Sequence, residues 1–140
     1  VLDAWPGAAP YPELLFHRGQ FEVIEQMQGI SDDGVAARVR GVHAAAWPQQ
    51  GWQLDVAALD GGMQLAVLYG QRMLGGPNLP TAIDRVCSYG GEPGVGPITA
   101  TALRRQVGAT AVTTDIYFVD AHGRRVADLL GVHNHALTQA

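Results

Sequence analysis

The strongest pattern in the chain is a stretch with almost no polar break. Val56 to about Met73 reads VAALDGGMQLAVLYGQRM and carries no charge between Asp60 and Arg72. A helix that is apolar nearly all round is enclosed on most sides, so one buried helix is predicted here. Asp55 is a plausible N-cap, and Gly75-Gly76-Pro77-Asn78 closes the helix. Elsewhere the period of the pattern is two. A strand is expected from about Phe21 to Gly29, entered through a His17-Arg18-Gly19 loop. Ser31-Asp32-Asp33-Gly34 forms a hairpin turn, and Val35 to Val42 alternates as a half-exposed second strand. Trp47 to Trp52 is a loop rich in breakers.

After the helix come four strand-like segments, at about 81–89, 97–106, 110–119 and 124–134, separated by Gly/Pro-rich or Asp-His-Gly punctuation. The last two make the clearest hairpin, with Thr113, Asp115, Tyr117 and Val119 alternating against Thr114, Ile116 and Phe118. The order is two strands, one buried helix, four strands. A single buried helix must be wrapped by the sheet that covers it, and short hairpin links permit an antiparallel one. The expected fold is α+β: a hotdog, with a curled antiparallel sheet of about six strands around one central helix.

Composition narrows the class. The chain has 140 residues, 47% hydrophobic and 16% charged, which suits one globular domain with a real core. Pro6, Pro10 and Pro12 mark residues 1–12 as linker before a domain at 13–140, and the whole reads as a piece of a longer polypeptide. No run approaches the roughly 20 apolar residues of a membrane span. One cysteine, Cys87, excludes a disulfide framework and agrees with a cytoplasmic location. The nine basic residues are all arginines, scattered or in pairs, and the net charge is −4. A nucleic-acid binder needs a concentrated positive face, so that class is disfavoured.

Two anomalies on the helix carry the chemistry. Asp60 interrupts an apolar surface beyond the first helical turn, where the helix dipole contributes little. Enclosure there would favour its protonated form, as a general acid requires; the alternative is an aspartate at a frayed helix start, facing water. Gln64 lies at i+4, within reach of the Asp60 carboxyl, or else points out of the core as a polar helix end. Gly61 and Gly62 each cost about 1 kcal/mol in a helix interior. Either something approaches closely there, or the helix begins after Gly62. The five histidines say less. His133 and His135 share a face of an extended segment, as a metal site would want, but no third ligand is evident and no metal is expected. His43 and His122 fall at a strand end and a turn. Cys87 is expected as a small core residue.

Several of these segments resemble the polyketide synthase dehydratase family. Leu15-Phe16-His17-Arg18-Gly19-Gln20-Phe21 looks like the element that opens the family's second hotdog. Leu59-Asp60-Gly61-Gly62-Met63-Gln64 looks like the "LDxxxQ/H" motif on that hotdog's helix. Leu79-Pro80 resembles the following "LPxxW" stretch, and Asp120-Ala121-His122-Gly123-Arg124 the "DxxGR" hairpin. The four come in the family's order over about residues 14–135, closest in flavour to iterative polyunsaturated fatty acid and enediyne synthases.

The resemblance implies the C-terminal half of a double-hotdog dehydratase that removes water from a 3-hydroxyacyl chain. The chain is carried on the phosphopantetheine of an acyl carrier protein, and no other cofactor is implied. Asp60 would act as the acid and Gln64 would orient it. His17, Phe21, Leu59, Gly61, Met63, Leu79 and Pro80 would line the substrate path. The partners implied are the carrier protein and a second hotdog, either an upstream domain or another copy. Two departures stand out. The family's "HxxxGxxxxP" segment, which supplies the histidine base, is absent, and Arg18 replaces a glycine of the opening motif. The alternatives are a non-catalytic dehydratase-like domain with a structural or acyl-binding role, and an acyl-thioester hydrolase on the same fold.

Overall fold

The computed structural model describes residues 2–4, 23–40, 56–89 and 97–137. Two strands, β1 (Ile24–Ser31) and β2 (Gly34–Val39), precede the helix α1 (Val56–Leu74). Four follow it: β3 (Asn78–Ser88), β4 (Ile98–Val107), β5 (Ala111–Asp120) and β6 (Arg125–Ala136). All six form one antiparallel sheet in the order β1-β2-β4-β5-β6-β3. The chain therefore leaves one side of the sheet at β2, crosses it as α1, and returns at the far edge as β3. A curled antiparallel sheet around one helix is the hotdog fold that the pattern predicts.

The pleat sorts side chains as period two requires. Along β5, Val112, Thr114, Ile116 and Phe118 are buried, while Thr113, Asp115 and Tyr117 take the outer face. Leu65, Leu68 and Tyr69 of α1 join Val35, Val39, Ile116, Leu129 and Val132 in one core. The helix starts at Val56, so Gly61 and Gly62 lie inside it. A Cβ on Gly61 would stand 2.8 Å from Val39 Cγ1, and one on Gly62 would be 2.4 Å from Phe118 Cζ. The close approach expected at this pair is thus between helix and sheet, and its packing offsets the low helix propensity of glycine.

A bulge bends β6. Thr114 pairs with Val132 and Ile116 with Leu129, so two residues of β6 oppose Asp115. Gly131 takes the left-handed conformation there (φ 65°), and its freed N–H donates to Asp115 Oδ1 at 2.8 Å. Such bulges add twist, which helps the sheet to curl around α1.

Some boundaries differ from expectation. The third strand begins at Asn78 and includes Leu79-Pro80, because proline is tolerated on an edge strand and the register slips between Pro80 and Ala82. The first strand runs to Ser31, and register shifts along it break the simple alternation. Asp3, in the stretch expected as linker, exchanges two backbone hydrogen bonds with Ile30, at 3.2 and 2.8 Å. Cys87 is not a core residue: it is half-buried on edge strand β3, opposite Asp128. Asp55, His17, Phe21, His43 and the Trp47–Trp52 loop lie outside the described residues.

Candidate active site on the central helix

Asp60 sits in the second turn of α1, and Gln64 one turn further on. The predicted contact is present: Gln64 Nε2 donates to Asp60 Oδ2 at 2.8 Å. Gln64 is only 2% exposed, so it is no polar helix end in solvent, and its buried amide has the partner that burial demands. Asp60 itself is half-buried rather than enclosed. The reason is the unequal cover of α1. Asp60, Met63, Val67, Gln71 and Leu74, spaced three to four apart, and Leu59 beside Asp60 are only partly buried, so this stripe faces away from the sheet. Among the described residues no arginine or histidine pairs with Asp60, and its Oδ1 accepts no hydrogen bond.

Leu59 and Met63 flank Asp60 on the same partly open stripe. Gly61 does not: it is buried against Val39 and Val23, where it sets the depth of the helix. Leu79 and Pro80 stand at the other end of α1, since the neighbouring Asn78 packs on Gly70. Ten helical residues, roughly 15 Å, separate that end from Asp60. His17 and Phe21 lie outside the described residues.

The histidines at the chain's end are on the outer face of the sheet. His133 Nε2 meets Asp84 Oδ1 at 2.9 Å and Nδ1 meets Thr113 Oγ1 at 3.1 Å, while His135 Nδ1 meets Thr81 Oγ1 at 2.6 Å. The sheet lies between them and the helix, so neither serves Asp60 as a base within one chain. Among the described residues no group of three or more potential metal ligands occurs, and no helix is long and apolar enough to cross a membrane.

Three arginines near the outer face are matched to carboxylates. Arg105 lies 3.8 Å from Asp84 and 3.6 Å from Asp115, and Arg124 is 3.2 Å from Asp120. Arg125 clamps the buried Asp128 and stacks against the Tyr89 and Tyr117 rings. The Tyr89 hydroxyl also donates to Asp128, which, with burial, raises its pKa. This cluster was not foreseen; an aspartate three residues after an arginine is too common a spacing to announce it. Nor were Val39 and Phe118, which seat the two glycines, although the Gly-Gly pair itself signals that something must come close.

A hotdog domain with a carboxyl–amide pair on its central helix defines the class. The sequence profile of the polyketide synthase dehydratase N-terminal domain matches residues 7–140, and the chain belongs to the polyketide synthase dehydratase family. Among solved structures it is similar to AziG of S. sahachiroi, at 25% identity over 81% of this chain and 91% of that one, TM-score 0.65. It is also similar to the dehydratase domain of a mycocerosic acid synthase-like polyketide synthase, at 18% identity and TM-score 0.67. That match covers 87% of this chain but 44% of the other. The thioesterase HI1161 of Haemophilus influenzae shares the fold at 13% identity and TM-score 0.70, over 96% and 94% of the two chains. No match is found among curated proteins.

Proposed function

We propose that this domain is the acid-bearing hotdog of a dehydratase acting on a 3-hydroxyacyl thioester carried by an acyl carrier protein. The carrying observation is the Asp60–Gln64 pair: the amide donates to Oδ2, and among the described residues Oδ1 accepts no hydrogen bond, which makes Oδ1 the oxygen to present to a substrate. In the reaction a base removes the C2 proton, the C2–C3 double bond forms, and the C3–O bond breaks. Asp60 passes its proton to the departing hydroxyl, which leaves as water, and the proton on the base later restores Asp60. The stripe of Leu59, Met63 and Val67 beside Asp60 offers an apolar wall for the acyl chain.

The matching profile describes an N-terminal domain, whereas the assignment to the C-terminal, acid-bearing half rests on Asp60 and Gln64. The base is assigned to a second hotdog, either upstream in the same polypeptide or another copy. His133 and His135 are on the wrong side of the sheet for the task. Arg105, Arg124 and Arg125 are committed to the chain's own carboxylates, which favours tethering over charge as the means of presenting the carrier protein. A phosphopantetheine arm is the only prosthetic group the reaction needs.

The test is the mass of a 3-hydroxyacyl carrier protein after incubation with the domain, alone and in a longer chain that includes the upstream residues. Loss of water that vanishes in Asp60→Asn is expected. Unchanged turnover in Asp60→Asn would overturn the acid role. The lack of a base among the described residues favours one other reading, a non-catalytic acyl-binding domain; silence of the longer chain would establish it.

A further inference from the structure

Three polar side chains lie on the inner face of the sheet beneath the second half of α1. Asn78 of β3, Asn134 of β6 and Thr114 of β5 are 3%, 0% and 1% exposed. The two asparagines form a hydrogen-bonded chain with a fixed direction. Asn78 Nδ2 donates to the Val67 and Gly76 carbonyls at 3.1 and 3.4 Å, which turns Asn78 Oδ1 toward Asn134. Asn134 Nδ2 donates to that oxygen at 2.9 Å. Turning either amide over would set oxygen against oxygen. The chain therefore runs from the helix carbonyl to Asn134 Oδ1, an acceptor that still needs a donor.

Among the described residues, three buried side-chain atoms have no hydrogen-bond partner in the protein: Arg38 Nε, Asn134 Oδ1 and Thr114 Oγ1. The last two are neighbours. Val112 pairs with Asn134 and Thr114 with Val132, so Thr114 and Asn134 are diagonal partners on the inner face. Leaving a buried polar atom unpaired is costly, and two such atoms side by side mark one shared site. The helix is small-sided above it. Gly62 packs on Phe118 and Ile116, Gly70 packs on Asn78, and Ala66 lies midway on the same helix face.

We infer that a buried water molecule binds between Thr114 and Asn134 as a structural ligand of the domain. It donates one hydrogen bond to Asn134 Oδ1 and makes a second with Thr114 Oγ1, which can donate or accept. Internal waters occupy such sites because they satisfy buried polar groups that the protein leaves unpaired. This one joins β5 to the chain that runs from β6 through β3 to the Val67 carbonyl, so that three strands hold the second half of α1. It takes no part in the reaction assigned to Asp60.

A crystal structure of the domain that resolves internal waters should show one water within hydrogen-bond distance of both Thr114 Oγ1 and Asn134 Oδ1. A dry site, a direct bond between the two side chains, or a water touching only one of them would overturn the inference. In solution, Thr114→Val keeps the shape and removes one of the water's partners, and Asn134→Leu removes the other. If one water joins them, the two substitutions do not act independently. The unfolding constant of the double variant should then differ at least about twofold from the product of the single effects, and effects that simply multiply would overturn the bridge. Should Asn134→Leu fail to fold, the crystal structure of Thr114→Val decides. The water should be lost or displaced there, and a water bound unchanged would overturn the role of Thr114.

Discussion

The two ends of α1 are held in different ways. The C-terminal end is locked by polar contacts. Asn78 Nδ2 donates to Val67 O at 3.1 Å, and Asn134 Nδ2 donates to Asn78 Oδ1 at 2.9 Å. Tyr69 Oη donates to Asp32 O at 2.6 Å, Arg72 pairs with Asp32 at 3.1 Å, and Gly75 in the left-handed conformation (φ 76°) closes the helix. Among the described residues, the N-terminal half makes its closest contacts with apolar side chains, Gly61 on Val39 and Gly62 on Phe118. Of its polar pair, Asp60 is on the less covered side while Gln64 is buried beneath it. One end uses its polar groups to fix the helix, and at the other Asp60 Oδ1 accepts no hydrogen bond among the described residues. Stability and chemistry should therefore separate along the helix.

Asp60→Asn is the sharpest way to break that comparison and carries the largest expected effect. Removing a general acid costs about 10²- to 10⁴-fold in rate, or about 3–5 kcal/mol in barrier. The thermal midpoint should barely move, because the replacement keeps the shape and the hydrogen bond to Gln64 can persist. Parallel dehydration and melting measurements check it, and a large loss of stability with little loss of turnover would invert the proposed division.

At the other end, Asn78→Ala should do the reverse. It removes the donor to the Val67 carbonyl and strands the buried Asn134 amide. Leaving buried polar groups unpaired costs about 1–3 kcal/mol. A drop of about 2–3 kcal/mol in urea unfolding, with turnover per folded molecule unchanged, is the expected result. Tyr69→Phe is a smaller step in the same direction, about 1 kcal/mol for one lost hydrogen bond. Burial already pushes the Tyr69 pKa up, so the hydroxyl stays a donor across the neutral range.

The helix, the number of strands and the i+4 contact were legible in the sequence because each depends on local period and spacing. Asp60 and Gln64 were readable for the same reason: two polar residues on an apolar helix meet when they are three or four positions apart. The uneven cover of α1 was not readable, since it depends on which strands run beneath the helix; hence Asp60 is half-buried where the uniform apolar pattern suggested enclosure. Cys87 was misplaced for a related reason, because nothing local in residues 81–89 marks an edge strand. Strand order β5-β6-β3 does, and that order comes from long-range pairing. The clusters around Asp128 and Gly131 are likewise assembled from three strands distant in sequence.

The smallest predicted effect tests whether charge near the Asp60 end matters outside the helix. Phe118, which seats Gly62, leads into the β5–β6 turn, where Asp120 Oδ1 accepts the backbone N–H groups of His122 at 2.9 Å and Arg124 at 3.0 Å. The Arg124 amide chiefly, then the His122 amide and the Arg124 guanidinium, hold the Asp120 pKa below its ordinary value of 3.8. A lowered folded pKa means that the native state prefers the carboxylate. That stabilisation is therefore complete above the unfolded value and disappears as pH falls through the folded one. Asp120→Asn should melt slightly below the parent at pH 7, and the gap should close below about pH 4, as thermal melts at the two pH values would show. Turnover should not change at pH 7, because this carboxylate is already paired within the turn, whereas Asp60 Oδ1 accepts no hydrogen bond among the described residues. A loss of turnover in Asp120→Asn comparable to that in Asp60→Asn would show that the turn, and not only the helix, belongs to the site.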